Sequence, residues 1–369
     1  MLLDRQPGFY AKGAKGASAG AQALAGAVYG SNFTIAKLLL ESGVDRNQHD
    51  GRSSEFSFET PLNIACLQGD EAVVELLLSH NADPNISRIE MNESWDGFYS
   101  TPLYDACSER HYGITKLLLE TGADTESTVS GNILHCASKY GDESLVRTLL
   151  ARGVDVHAPE YGLYSFQKKT PLHNAAEYGH VNIIKLLVLH GVNINAKDYG
   201  DKKAIYYAAE ADSAAAVEAF IALGVDPCEK DASGKTILHT AAKYGSEDVV
   251  RFLTTKGVDI EGDNANGWTA LHFAASTWYE DKACPVIQFL LDQGASIDAK
   301  DSKGRTPLSI AAGKFYYRIV ELLVGRGADS TSRDWNGQTP LHFARDGFSR
   351  RYGEQEKVIE FLKAQGATI

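Results

Sequence analysis

The chain has 369 residues, with 36 Lys and Arg against 48 Asp and Glu, and a net charge of −12. That acidic balance opposes sequence-independent capture by phosphate backbones or anionic lipid surfaces, so nucleic acid is not an expected partner. Met1-Leu2-Leu3 runs straight into Asp4 and Arg5, no later stretch reaches the length of a membrane span, and the five cysteines lack metal-like pairing. These features predict an intracellular chain, cytoplasmic or nuclear, that is monomeric, does not enter a membrane, and has no disulfide framework, metal or cofactor.

In chain order, residues 1–19, with Gly-Ala-Lys-Gly-Ala-Ser-Ala-Gly near their end, carry no repeat and are expected to be irregular or mobile. From residue 20 to 369 no linker interrupts a periodic pattern, which reads as one elongated domain. A first unit, Gln22 to Gly43, is rich in Ala and Gly and suits an end cap. Then Thr-Pro-Leu-His or a near copy begins at Thr60, Thr101, Asn132, Thr170, Lys203, Thr236, Thr269, Thr306 and Thr339, and the spacing returns repeatedly to 33 residues. A fixed period of this size means an array of small units instead of one central core.

The copy at Thr170 shows why a unit folds. Thr170 can cap a helix with its hydroxyl, Pro171 fits the first helical position, and Gly179 permits a sharp turn into a second helix. That second helix carries Ile183, Ile184, Leu186 and Leu187 as one apolar stripe, and Gly191 ends it. One pair cannot bury the stripe alone, so neighbouring units must stack. Cys66, Cys107 and Cys136 occupy first helices where other units have small residues, and are expected to be packed thiols. Cys228 and Cys284 complete the set.

The pattern resembles the ankyrin repeat over nearly the whole chain, with Thr236-Ile-Leu-His, Thr269-Ala-Leu-His, Thr306-Pro-Leu-Ser and Thr339-Pro-Leu-His as close copies. The resemblance implies an all-α repeat solenoid of stacked helix-turn-helix units with hairpin-like loops and a concave groove. Terminal glycines, with Asn81 substituting once, give ten units. The connections before Thr60, Thr101 and Thr170 are long, and the turns after Thr269 and Thr339 contain insertions, which are expected to form loops. The sixth unit, about 198–230, is degenerate: Lys203 replaces the capping Thr, Asp212 the turn Gly, and Ala214-Ala-Ala216 thins the second helix.

Five tetrapeptides keep His, namely His135, His173, His239, His272 and His342. Recurrence at one position points to hydrogen bonding within and between units, not to catalysis, and no nucleophile elbow, phosphate loop or metal motif is present. The position before the turn Gly is Tyr29, Tyr140, Tyr178 or Tyr244, with Lys139, Glu177 and Lys243 preceding the last three. The resemblance implies that these two positions line the groove and touch partners. Bracing of neighbouring helix ends is the other reading. Four residues earlier stand Cys136, Asn174 and Thr240, whose polarity predicts an incompletely buried face.

A second row precedes each tetrapeptide: Lys169, Lys202, Lys235, Trp268, Arg305 and Gln338. Its basic character suits an acidic or phosphorylated peptide, or a small anionic ligand, though a solvated edge would look the same. Trp268 and Trp335 fall at loop positions expected to be exposed, and Trp95 lies in a long insertion; all three are candidate anchors. The reading is a scaffold that binds a partner protein or peptide across the groove and loop tips. The alternative is a small-molecule-binding or enzymatic protein with a Tyr, His, Lys and Glu-lined pocket.

Overall fold

The threonine that opens each repeat sets where a helix begins, and it does so in two ways. In the computed structural model, which describes residues 19–49, 57–91, 97–125, 133–157, 169–347 and 352–367, Thr60, Thr101 and Thr306 accept from the amide three residues on. Where the fourth residue is His, the ring joins the cap. The Thr236 amide donates to His239 Nδ1 at 3.0 Å, and the Thr236 hydroxyl stands 3.0 Å from the same nitrogen. Thr170 with His173, Thr269 with His272 and Thr339 with His342 repeat the arrangement.

A ring nitrogen that accepts carries no proton, so Nε2 holds it and donates. His239 gives it to the Gly262 carbonyl at 2.9 Å and His272 to Arg305 at 3.1 Å. His135 Nε2 reaches the Lys169 carbonyl at 3.1 Å. His239 and His272 therefore each tie their own helix start to the loop that leads into the next repeat. Burial holds His135 down at about 4 and lowers His239 and His272, which keeps the rings neutral.

The result is an all-α repeat fold in which twenty helices among the described residues follow one another two to a repeat, from Ala19–Tyr29 and Phe33–Glu41 to Pro340–Asp346 and Tyr352–Ala364. In the helix Val181–Leu189 the stripe Ile183, Ile184, Leu186 and Leu187 is buried, as its spacing predicts. Cys66, Cys107 and Cys136 are buried in first helices, while Cys228 is exposed and Cys284 half-buried. Contacts divide the chain into two compact units. The N-terminal unit is Met1–Asn174 with Leu189–Val192 and Asp198–Gly200; the C-terminal unit is Ala175–Val188, Asn193–Lys197 and Asp201–Ile369. Residues 1–18, Trp95, Asn132 and the insertion before Thr170 lie outside the described residues.

Two connections depart from expectation. The long stretches before Thr60 and Thr101 are not plain loops: Ser57–Phe58, Arg88–Met91 and Gly97–Ser100 form a three-stranded antiparallel sheet, with Ser57 opposite Glu90 and Arg88 opposite Ser100. Arg88 fixes the sheet to the helices by standing between Glu59, at 3.5 Å, and Asp105, at 3.1 Å. Asp105 also accepts from Ser100 and Asn63, and Tyr29 donates its phenol to Glu59. The insertion Ser276–Pro285 is also only partly loop, since a helix starts at Glu280 and runs to Asp292 with Pro285 inside it.

In the C-terminal unit the connections are regular. Asp231, Asn264, Asp301 and Asp334 each accept from the amides two and four residues on at 2.8–2.9 Å, which closes a tight turn. Successive turns are hydrogen-bonded to one another: Ala265 N to Ser233 O, Ser302 N to Asn266 O, and Trp335 N to Lys303 O, at 2.9–3.0 Å. Gly267 shows why these turns need glycine. Its φ is +72°, and a Cβ there would sit 2.8 Å from the Ser302 nitrogen.

Candidate functional site

Counting the opening Thr as position one, positions five, eight and nine of the first helices share a face with the residues just before the tetrapeptide. In the C-terminal unit this face has a polar part and an apolar part. The polar part centres on Glu210 at position eight of the degenerate repeat. Lys202 Nζ is hydrogen-bonded to Glu210 and lies 3.5 Å from the centre of the Tyr207 ring. Tyr244 donates its phenol to the same carboxylate, and burial together with that negative charge pushes the phenol up to about 12. Lys243 sits 5.5 Å over the Tyr244 ring.

The apolar part is an open pocket of about 380 Å³ bounded by Trp268, Arg305 and Gln338 on the loop side and by Ile310, Gly313 and Phe343 on the helix side. Lys314, at position nine, and Asp346, at position eight of the next repeat, stand at its rim. Trp268 forms one wall. Its ring packs edge-on against Phe273 at 5.1 Å, and its Nε1 donates to Asp301 at 3.0 Å. Arg305 forms the next wall, with Nε and Nη2 on the same Asp301 oxygen at 2.8 and 2.7 Å. Burial alone would raise the Asp301 carboxyl, but the guanidinium and the Arg305 and Lys303 amides hold it below the usual carboxylate range.

The predicted site residues distribute unevenly over these features. Lys202 and Tyr244 meet at Glu210, and Trp268 and Arg305 meet at Asp301. Lys235 lies 3.9 Å from Asp231, so three of the loop-row cations face a carboxylate of their own chain. Tyr178, exposed beside Glu177, stacks on His180 with ring centres 6.4 Å apart. In the N-terminal unit, Lys139 Nζ lies 5.1 Å over the Tyr140 ring, and Lys169 offers its carbonyl to His135. Trp335 is 66% exposed; it rests beside Gly304 under Lys300 and does not line the pocket.

Two expectations about exposure are corrected. Cys136 and Asn174 are buried at 3% and 4%, and only Thr240 is half-buried, so polarity at position five does not mark an open face along its whole length. Trp268 is half-buried instead of exposed, because Asp301 gives its indole a partner and Phe273 a ring to pack on. The residues missed from sequence are Tyr207, Glu210, Ile310, Gly313, Lys314 and Asp346. Aligning positions five, eight and nine across the repeats would have found them, since Gly313 is the one eighth-position glycine after nine tetrapeptides. Among the described residues, no group of three His, Cys, Asp or Glu side chains could hold a metal ion, and no helix is long and apolar enough to cross a membrane.

Comparison with known proteins covers the whole array. The model of the ankyrin repeat family matches residues 10–88, 87–160, 134–231, 205–301 and 279–369. Among curated proteins, an ankyrin repeat protein of Rickettsia felis is 30% identical across 28% of this chain and 47% of its own length. The potassium channel AKT2/3 of Arabidopsis thaliana is 27% identical across 28% of this chain and 12% of its own. A Caenorhabditis elegans homologue of transient receptor potential cation channel subfamily A member 1 is 31% identical across 26% of this chain and 7% of its own. The chain thus spans less than half the length of these relatives. Among solved structures, the human ASB11 ankyrin repeat domain aligns with 62% of this chain and 96% of its own, at a TM-score of 0.50 and 24% identity.

Proposed function

Because the chain belongs to the ankyrin repeat family, whose repeats are generally protein–protein interaction modules, we propose that its C-terminal unit holds a partner polypeptide on the face that runs from Lys202 and Tyr244 to Phe343 and Asp346. The observation that carries this reading is the pocket, where the loop row and the helix row border one open space. Trp268 and Tyr244 are held by hydrogen bonds to buried or half-buried carboxylates, so they present stiff aromatic surface that loses little entropy when a partner arrives. The histidines support a binding role over a catalytic one, since His239, His272 and His342 each use Nδ1 on a threonine.

On this reading residues 20–369 act as one binding domain, monomeric and inside the cell, where the buried thiols Cys66, Cys107 and Cys136 stay reduced. The internally paired Lys202, Lys235 and Arg305 offer an acidic partner oriented donors more than free charge. Photo-cross-linking tests the face. A benzophenone side chain at Lys243 or Gln338 is expected to capture a polypeptide in cell extract, and one at the exposed Glu218 on the second helix of its pair is not. Equal capture at all three positions, or none at the first two, removes the reading.

A further inference from the structure

We propose that the pocket seats one bulky apolar side chain of the partner, of the Leu, Met, Phe or Trp class, with a carboxylate of the same peptide beside it against Arg305 and Lys314. This rests on the reading of the face as a polypeptide-binding surface and names what one part of it selects. The space exists because position eight of this repeat is Gly313, where the adjoining repeats carry Ser276 and Asp346 and the three before them Glu177, Glu210 and Lys243. Nothing local demands that glycine. Its φ is not in the left-handed range, and a Cβ would meet nothing nearer than Phe343 Cβ at 3.5 Å, an ordinary contact. A helix would be favoured by almost any other residue there.

What surrounds the gap is apolar at the bottom and charged at the edge. Ile310, 7% exposed, forms the floor, and Trp268 and Phe343 the walls. Arg305 keeps its carboxylate partner behind it, since Asp301 is 3% exposed. Lys314 is exposed and makes no ion pair among the described residues. Two cations and one anion, Asp346, therefore border an apolar hole on a chain whose net charge is −12. Asp301 offsets Arg305, so the edge is neutral on an acidic chain, and a carboxylate next to an apolar anchor would meet the oriented donors of Arg305 and the exposed ammonium of Lys314.

The test selects randomised peptides displayed on phage against the full chain and then measures the enriched peptides on variants. Enrichment of a large apolar residue adjacent to Asp or Glu is expected. Gly313→Lys, which refills the gap with the side chain found at Lys243, should weaken a selected peptide about tenfold or more while leaving the melting temperature unchanged or raised. Lys314→Glu, at an exposed position, should remove the preference for the acidic neighbour and keep the apolar one. Peptides that lose binding on Tyr244→Ala yet bind Gly313→Lys as well as wild type would overturn the pocket and leave the face standing. Enrichment that none of the three variants affects, or no enrichment, would overturn both.

Discussion

Asp105 in the N-terminal unit and Asp301 in the C-terminal unit are both nearly buried, and each holds an arginine, yet their carboxyls move in opposite directions. Asp105 is raised, first by burial, against which Arg88, Ser100 and Asn63 pull only part of the way. Asp301 is lowered, because two amides of its own turn join the guanidinium. The difference is the backbone. Asp105, in the first turn of Pro102–Ser108, accepts from the side chains of Arg88, Ser100 and Asn63, whereas a tight turn aims several amides at one oxygen. The N-terminal unit uses its ion pair to fasten a sheet to helices; the C-terminal unit uses its own to stiffen the wall of a pocket.

The sharpest way to break this comparison is to remove each aspartate. Asp105→Ala leaves Arg88 with Glu59 alone and strands the Ser100 and Asn63 donors, and should cost about 3–5 kcal/mol. Asp301→Ala frees groups that water can reach at the loop edge, and should cost about 1–3 kcal/mol. Urea unfolding of the two variants decides it, and an equal or reversed order would mean that the Arg88 cluster is more solvated than its burial implies.

Acid should act through the histidines. An unfolded imidazole takes its proton near pH 6.5, but His135 in the folded chain holds out to about 4. Between those values the unfolded state binds more protons, so stability falls as pH falls, by about 3 kcal/mol for His135. His239 and His272 move in the same direction. Asp105, being raised, works oppositely: it stabilises at low pH and the contribution is lost as pH rises through its folded value. NMR titration of the imidazoles, with urea melts at pH 7 and 4.5, should show His135 neutral and the protein weaker in acid; titration of His135 near 6.5 would contradict the burial.

The turns of the C-terminal unit give a smaller, cleaner effect. Gly267→Ala must hold φ +72° with a methyl 2.8 Å from the Ser302 nitrogen, and should lose about 1–3 kcal/mol in thermal unfolding. Gly313→Lys is the contrast, a glycine that packing does not require. If Gly267→Ala melts with the wild type, the turn relaxes and the hydrogen bonds between successive turns are not stiff.

Much of this was legible in the residues. Thr, Pro and the turn positions fixed where helices start, and the stripe Ile183 to Leu187 fixed which face is buried, because caps and 3.6-residue spacing are local. The sheet was not legible, since Arg88 finds Asp105 only after the chain has folded back. Nor was the left-handed Phe315, which takes the glycine turn position at φ +61° with its ring fully buried. An aromatic there conflicts with local preference and is held by packing. The pocket was hidden for a related reason: it is a missing side chain at Gly313, and a single absence carries no motif.

The degenerate sixth repeat offers the finest comparison, within one unit. Lys203 opens its helix with no side-chain cap, and Ser213 opens the next with none either. Against that, Tyr206 replaces the tetrapeptide His and points its hydroxyl at the Lys235 carbonyl, 3.5 Å away, while Asp212, in the left-handed turn at φ +56°, caps the Val249 amide of the next repeat at 3.1 Å. Phe220 is fully buried, but Ala216 and Ala219 stand where the helix Val181–Leu189 has larger side chains. Less apolar area and one lost cap should leave Ala214 to Ile221 exchanging amide hydrogens faster than Ile183 to Val188. Lys203→Thr restores the cap and gives up the contact of Lys203 with Glu229, half-exposed and weak, for a net gain of up to about 1 kcal/mol seen as slower exchange in that segment alone. Equal protection of the two segments in the wild type would show that Tyr206, Asp212 and Phe220 already make good the loss.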